Sequence, residues 1–381
     1  MNQPDNSHAE LLAQSVSAYV QHGADLPRVR ALAQTQLEFD PKQWQELADL
    51  GWLGILAPES CGGLGLGLAE VAIVAEGLGR ALTPEPYTPV AVLAAAILTP
   101  LAGATLPMAI LNDLVAGLAT PVLAAQEQAD DFSAQLVATV ATPQTGGIQL
   151  DGVKSFVVGA AGASGFLVTA HHEQEPLLCW VPGETQGCHV RLIPLADGRT
   201  AGEVRLDHAL VSEAHILARG ARVRELLDRA LDYAQVITAA ELLGVLKKTQ
   251  EMSLEYMKTR IQFGKAIGSF QVLQHRAVDL LIQQELAAAV LAEVIQEMSH
   301  TPMSVESRAM AASRAKARCA DAALMITRAA IQFHGAIGFT EDCDVGLYVK
   351  RAMTLAAYLG NSRAHRQRYA RLAAVGHQEA A

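Results

Sequence analysis

The sequence predicts an α+β chain with an N-terminal helical domain, a middle β domain and a C-terminal helical bundle. Three changes of texture carry this reading. Apolar residues at helical spacing fill positions 9 to about 118, punctuated by a Gly-rich turn at 61–67 and by Pro84, Pro86 and Pro89. From 120 to about 217 the pattern changes to short β-rich runs at 135–140, 153–158, 165–170 and 177–181, separated by Gly, Pro, Asp and Gln clusters. Ala-rich helical periodicity returns at 221 and persists to 375, which places domains at 1–118, 119–218 and 219–375 with a frayed tail at 376–381. The stretch 221–260 reads as one helix of roughly 60 Å at 1.5 Å per residue.

Composition narrows the function classes. A chain of 381 residues with 51% hydrophobic content can bury two or three cores. The formal net charge is −10 and no long basic run occurs, which argues against nucleic acid as a partner. The five cysteines are scattered with no C-x-x-C pair, so no zinc spacing appears and a reducing cytoplasm fits. The first ten residues are polar and do not read as a signal peptide. The apolar runs at 90–97 and 237–245 are too short to cross a bilayer, so a cytoplasmic protein without membrane contact is expected.

Three blocks carry chemical information. Arg260-Ile261-Gln262-Phe263-Gly264-Lys265 with Gln271 follows the long helix, and on a continued helix Arg260 and Phe263 share one face. A guanidinium there can clamp a pyrophosphate bidentately beside an aromatic ring. Gln332-Phe333-His334-Gly335-Ala336-Ile337-Gly338 ends a later helix in small residues that allow close backbone approach. Leu50-Gly51-Trp52, Pro58-Glu59 and Cys61-Gly62-Gly63 form the third block, which reads as architectural. In this order and register, the blocks resemble the acyl-CoA dehydrogenase family, which uses FAD to desaturate acyl-CoA thioesters. The resemblance covers nearly the whole chain. It implies that Arg260, Phe263 and Gln271, with Gln332, His334 and Gly335, contact the FAD of a neighbouring subunit. Ala336 stands where the family has Gly.

The same resemblance exposes what is missing. α,β-Dehydrogenation needs a carboxylate to take the α-proton while the flavin accepts the β-hydride. The family's usual Tyr-Glu-Gly-Thr motif corresponds to Tyr358-Leu359-Gly360-Asn361, and the alternative position early in the long helix corresponds to Ala234. Neither is a carboxylate. Glu241, two turns beyond Ala234, is the remaining low-ranked candidate base, with a buried structural glutamate as the favoured reading. The flavin-contacting strands are altered too. Phe156 is the residue placed to stack on the isoalloxazine, and Gln126 is the amide placed to replace a lost donor. Glu127 and Asp130 read as solvated loop charges, and Arg363, His365, Arg366 and Arg368 as a solvated helix face, with contact to a CoA phosphate as the alternative.

Elements serving a neighbour's FAD remain, while those serving the chain's own flavin and base are eroded. The resemblance therefore implies one subunit of an α2β2 acyl-CoA dehydrogenase, akin to the heteromeric steroid and bile-acid branch, with a bulky CoA thioester as substrate and an electron-transferring-flavoprotein-like acceptor. Two alternatives stand beside it. One is a self-sufficient homotetramer using Glu241 or another carboxylate, and the other is a non-catalytic binding or scaffold homologue.

Overall fold

The segment after Gly220 runs 39 residues without proline and forms a single helix, and this long rod organises the helices around it. The structure, a computed structural model, describes residues 7–23, 26–35, 39–128, 137–300 and 302–379. Helices α1 (Ser7–Gly23), α2 (Leu26–Thr35), α3 (Pro41–Asp49), α4 (Leu68–Ala81), α5 (Ala95–Leu98) and α6 (Thr105–Val115) precede the strands. Strands β1 (Pro121–Ala124), β2 (Val140–Gln144), β3 (Gly147–Val158), β4 (Gly165–His172), β5 (Glu175–Pro182), β6 (Cys188–Pro194), β7 (Thr200–Val211) and β8 (Ile216–Arg219) follow. Then come α7 (Ala221–Thr259), the hairpin β9 (Ile261–Gln262) and β10 (Lys265–Ala266), α8 (Gln271–His300), α9 (Val305–His334), α10 (Val345–Ala357) and α11 (Ser362–Glu379). The expected helical, β, helical order is therefore present. Of the strand expected at 135–140, residues 137–139 are described and not in a strand, Val140 opens β2, and 135–136, like Asp130, lie outside the described residues.

The chain divides into two compact units. One gathers α1, α4 from Ala72, and everything from Gln235 onward; the other holds residues 30–71 and 84–234. The segment 1–118 is thus shared between them.

The sheet unit contains one mixed sheet in the order β6-β7-β3-β2-β4-β5-β8, with β1 parallel to β4. Strand β4 lies inside it, and residues 165–170 are buried on both faces, which explains a run that is apolar except for Thr169 where a half-exposed strand would alternate. The apolar run at 90–97 forms a fully buried π-helix, Thr88–Ala94, continued by α5. No helix among the described residues is long and apolar enough to cross a membrane. The Gly-rich turn is architectural, since a Cβ on Gly63 would sit 2.2 Å from the Ala57 carbonyl oxygen.

In the helical unit, α9 packs against α8, α10 and α11 through buried Ala309, Ala312, Ala315, Ala320 and Ala323, whose small side chains bring the helices close. The α4–α7 crossing is closer still. A Cβ on Gly79 would lie 2.1 Å from the Glu241 carbonyl oxygen, and one on Gly244 would lie 1.9 Å from that of Glu76. Arg351 of α10 locks this crossing. Its guanidinium, 2% exposed, donates to the Thr83 carbonyl (2.9 Å), the Leu82 carbonyl (3.2 Å) and the Glu241 carboxylate (3.2 Å). Tyr348 donates from its hydroxyl to the Arg80 carbonyl (2.9 Å). The carbonyls left without partners at the end of α4 are thus satisfied by α10.

The turn between α10 and α11 is held equally firmly. Leu359 adopts φ +56° and Gly360 φ +101°. The fully buried Lys316 ammonium donates to the carbonyls of Ala356 (3.2 Å) and Gly360 (3.0 Å). His365 Nε2 donates to the Leu359 carbonyl (3.0 Å), so its Nδ1 accepts from the Ser313 hydroxyl (3.4 Å). Arg368 reaches the same hydroxyl (3.4 Å) and the Gln235 side chain (2.9 Å). Burial, then the charges of Lys316 and Arg368, push the His365 pKa down to about 3. His365 and Arg368 are therefore internal struts, which corrects the solvated-face expectation at these two positions, while Arg363 and Arg366 are exposed.

Three outcomes are expected. Gly244→Ala forces α4 and α7 apart and destabilises by about 1–3 kcal/mol or more, read as a fall in Tm. Arg351→Met strands Glu241 in the interior and costs about 3–5 kcal/mol in urea denaturation, with much of the loss recovered by adding Glu241→Gln. His365 is neutral when folded and protonates near 6.5 when unfolded, so its contribution is present above that pH and is lost as pH falls below it. His365→Gln flattens this acid limb in pH-dependent melts.

Candidate functional site

Sequence reasoning places Arg260 and Phe263 on one helix face. The structure corrects this: α7 stops at Thr259, and the next residues form a hairpin in which Gln262 pairs with Lys265 across Phe263-Gly264. Both turn residues have positive φ, +52° and +80°, as a type I′ turn requires. Glycine adopts this freely, but a phenylalanine there is strained, by an amount on the order of 1–2 kcal/mol. The hairpin folds back because Gly268 lies against the end of α7, where a Cβ would be 2.9 Å from the Met257 carbonyl oxygen. Phe263 meets Phe270 edge-on (6.1 Å), and Lys265 lies 4.4 Å over the Phe270 ring. Phe263 nevertheless remains 91% exposed. A strained, solvated aromatic ring is not explained by folding of this chain.

The second block ends α9 at His334, and Gly335 takes φ +68° with open space around it. The structure joins this end to the hairpin. Tyr256, one turn before Arg260, stacks on the His334 ring (4.3 Å, 25°) and donates to the His334 carbonyl (3.3 Å). His334 Nδ1 donates to the Ala330 carbonyl (2.8 Å), which fixes this buried ring at the helix end. Arg260, Gln271 and Gln332 point outward. Among the described residues, none of their side chains has a hydrogen-bond or ion-pair partner. A guanidinium and two amides without partners among the described residues, beside an exposed aromatic ring, fit the phosphates and rings of a dinucleotide such as FAD.

Gln126 and Phe156 lie in the sheet unit and are brought together there. Lys154 pairs with Val204 and Val157 with Gly202, so Ser155 and Phe156 together oppose Glu203 in a β-bulge. Phe156 has φ +54° and is 47% exposed. Ser155 N–H, released from the ladder, donates to the Gln126 carbonyl (2.7 Å). The Gln126 amide donates to the Gln128 carbonyl (2.8 Å).

Glu127 is not a solvated loop charge. Its carboxylate accepts from Lys154 Nζ (2.6 Å), the Thr139 amide (2.9 Å), the Thr139 hydroxyl (2.6 Å) and the Ala138 amide. Burial raises its pKa, but the bonds from Lys154 and Thr139 outweigh burial and hold it below the usual carboxylate range. Burial pushes the Lys154 ammonium down to about 8 against the pull of Glu127. Lys154 is missed by sequence reading because a lysine inside a β-rich run reads as a solvent-facing residue.

No carboxylate stands at either of the two positions expected of a base. Ala234 is completely buried, and Leu359 is fixed by the turn described above. Glu241 is buried and engaged by Arg351.

Comparison with known proteins agrees with this geometry. Residues 6–104 match the acyl-CoA dehydrogenase N-terminal domain and residues 221–373 its C-terminal domain. The chain is 30% identical over 360 residues to acyl-CoA dehydrogenase IpdE2 of Mycolicibacterium smegmatis, across 93% of this chain and 95% of that protein. Among solved structures it is similar to a variant of the Tcur3481-Tcur3483 steroid ACAD, with TM-score 0.86, 28% identity and coverage of 98% and 99%. It is also similar to the ChsE4-ChsE5 complex from Mycobacterium tuberculosis, with TM-score 0.85, 25% identity and coverage of 98% and 99%. With both terminal domains matched and a relative aligned along nearly its whole length, this chain belongs to the acyl-CoA dehydrogenase family.

Proposed function

We propose that the chain is one subunit of a hetero-oligomeric, FAD-dependent acyl-CoA dehydrogenase whose proton-abstracting carboxylate comes from a partner chain. The observation that carries this reading is the hairpin: a strained, 91% exposed Phe263 beside Arg260, whose side chain has no partner among the described residues. Phe339, just beyond the end of α9, is 84% exposed, and such rings mark a surface meant to be covered. The relatives named as a ChsE4-ChsE5 complex and a Tcur3481-Tcur3483 steroid enzyme support both the two-chain assembly and a bulky polycyclic CoA thioester as substrate.

When bound, FAD supplies the hydride acceptor for α,β-desaturation. In this reading Arg260 holds a pyrophosphate of the neighbour's cofactor, Phe263 covers its edge, and Gln271 and Gln332 donate amide hydrogens to it. Gln126 and Phe156 are the flavin-facing surface of the chain's own sheet unit. Neither Leu359 nor Ala234 supplies a base, and Glu241 serves Arg351. An electron-transferring-flavoprotein-like acceptor reoxidises the assembly.

Absorbance between 350 and 500 nm after gel filtration tests the reading. The chain alone is expected to carry little flavin, and co-expression with a partner acyl-CoA dehydrogenase restores flavin and turnover. A stoichiometric flavin spectrum and turnover from this chain alone would overturn it. In the active complex, Arg260→Ala is expected to weaken FAD retention by roughly 10–100-fold, the scale of a lost charge-assisted hydrogen bond. Unchanged retention would remove Arg260 from the site.

A further inference from the structure

The Lys154–Glu127 pair calls for an explanation that stability does not provide. A buried ion pair is commonly matched or exceeded in stability by apolar residues of similar volume. Lys154 is wholly buried in a β-rich stretch where a valine or leucine would serve the core. Its position is specific: it is the last paired residue of β3 before the bulge that turns Phe156 outward.

The bonds around it converge on one purpose. The ammonium donates to Glu127 (2.6 Å) and to the Thr169 hydroxyl of β4 (3.0 Å). Thr169 in turn donates to the Ala125 carbonyl (3.5 Å), and Glu127 also gathers Ala138 and Thr139. Residues 125–127 are thereby tied to β3, β4 and the approach to β2. The adjoining Ser155–Gln126 backbone bond then sets the Phe156 ring and the Gln126 segment in a fixed relation. The left-handed Phe156 backbone persists only because its surroundings over-determine it.

We infer that Lys154 is a positioning residue which, through Glu127, holds the β3 bulge so that Phe156 and Gln126 present one rigid face to the flavin. The inference rests on the FAD reading above. Lys154 touches neither cofactor nor substrate in it; its action passes through Glu127 and Ser155.

The test uses the full chain co-expressed with its partner, comparing wild type, Lys154→Met and the double variant Glu127→Gln/Lys154→Met. Amide exchange across residues 153–158 reads the clamp, FAD titration reads the ligand, and melting reads the fold. Lys154→Met is expected to speed Ser155 exchange at least tenfold and to weaken FAD binding at least tenfold. The double variant, free of both buried charges, is expected to regain Tm but neither Ser155 protection nor FAD affinity. Unchanged Ser155 exchange in Lys154→Met overturns the clamp. Faster exchange with unchanged FAD affinity overturns its role toward the flavin, and a double variant that regains FAD affinity along with Tm reduces Lys154 to a folding residue. A wild-type complex that takes up no FAD overturns the cofactor reading itself, and is distinguished because it appears before any variant is compared.

Discussion

The helical unit depends on one buried guanidinium. Arg351 draws together the end of α4, the middle of α7 and α10 with three hydrogen bonds, two to backbone carbonyls and one to Glu241. The helices meet at glycines, so no side chain at the crossing can adjust. This arrangement converts the carboxylate in the apolar middle of α7, the residue with the strongest remaining claim to chemistry, into a structural partner. The Glu241 carboxylate lies 3.2 Å from the Arg351 guanidinium, and removing either partner would leave the other a buried, unpaired charge.

Strain is placed with similar selectivity. Among the described residues, six non-glycine residues adopt positive φ: Leu82, Phe156, Glu173, His208, Phe263 and Leu359. Leu82 offers its carbonyl to Arg351, and Leu359 offers its own to His365. Phe156 and Phe263 are aromatic rings turned toward solvent. At Leu82 and Leu359 the strained backbone aims a carbonyl into the packing of the helical unit, whereas at Phe156 and Phe263 it turns a ring toward solvent, where folding gains nothing from it.

The large features of the fold were legible because they rest on periodicity. The long helix at 221–260, the strand-rich middle and the small-residue helix ends all follow from spacing and from glycine and proline placement. Arg260 and Phe263 were legible as chemistry but misread as geometry. Helical periodicity continues up to Thr259, and only the Phe263-Gly264 pair, a two-residue turn in disguise, announces the hairpin. Glu127, Lys154 and Arg351 were opaque for a deeper reason. A charge is assigned to the surface unless its partner is visible, and these partners lie 27 and 110 residues away in sequence. His365 is the same case, a basic residue among arginines whose burial depends on the carbonyl of a turn six residues earlier.

Phe263 and Phe339 have a consequence for the life of the chain before assembly. Each ring offers an apolar area on the order of 150–250 Å², worth roughly 25 cal/mol per Å² once covered. A newly made copy carries that tendency to associate from the moment it folds, because neither ring is hidden by the chain's own packing. In the reading proposed above, covering these rings is a gain that a free copy forgoes, so the exposed hairpin couples the association tendency of each copy to the supply of a surface that fits it.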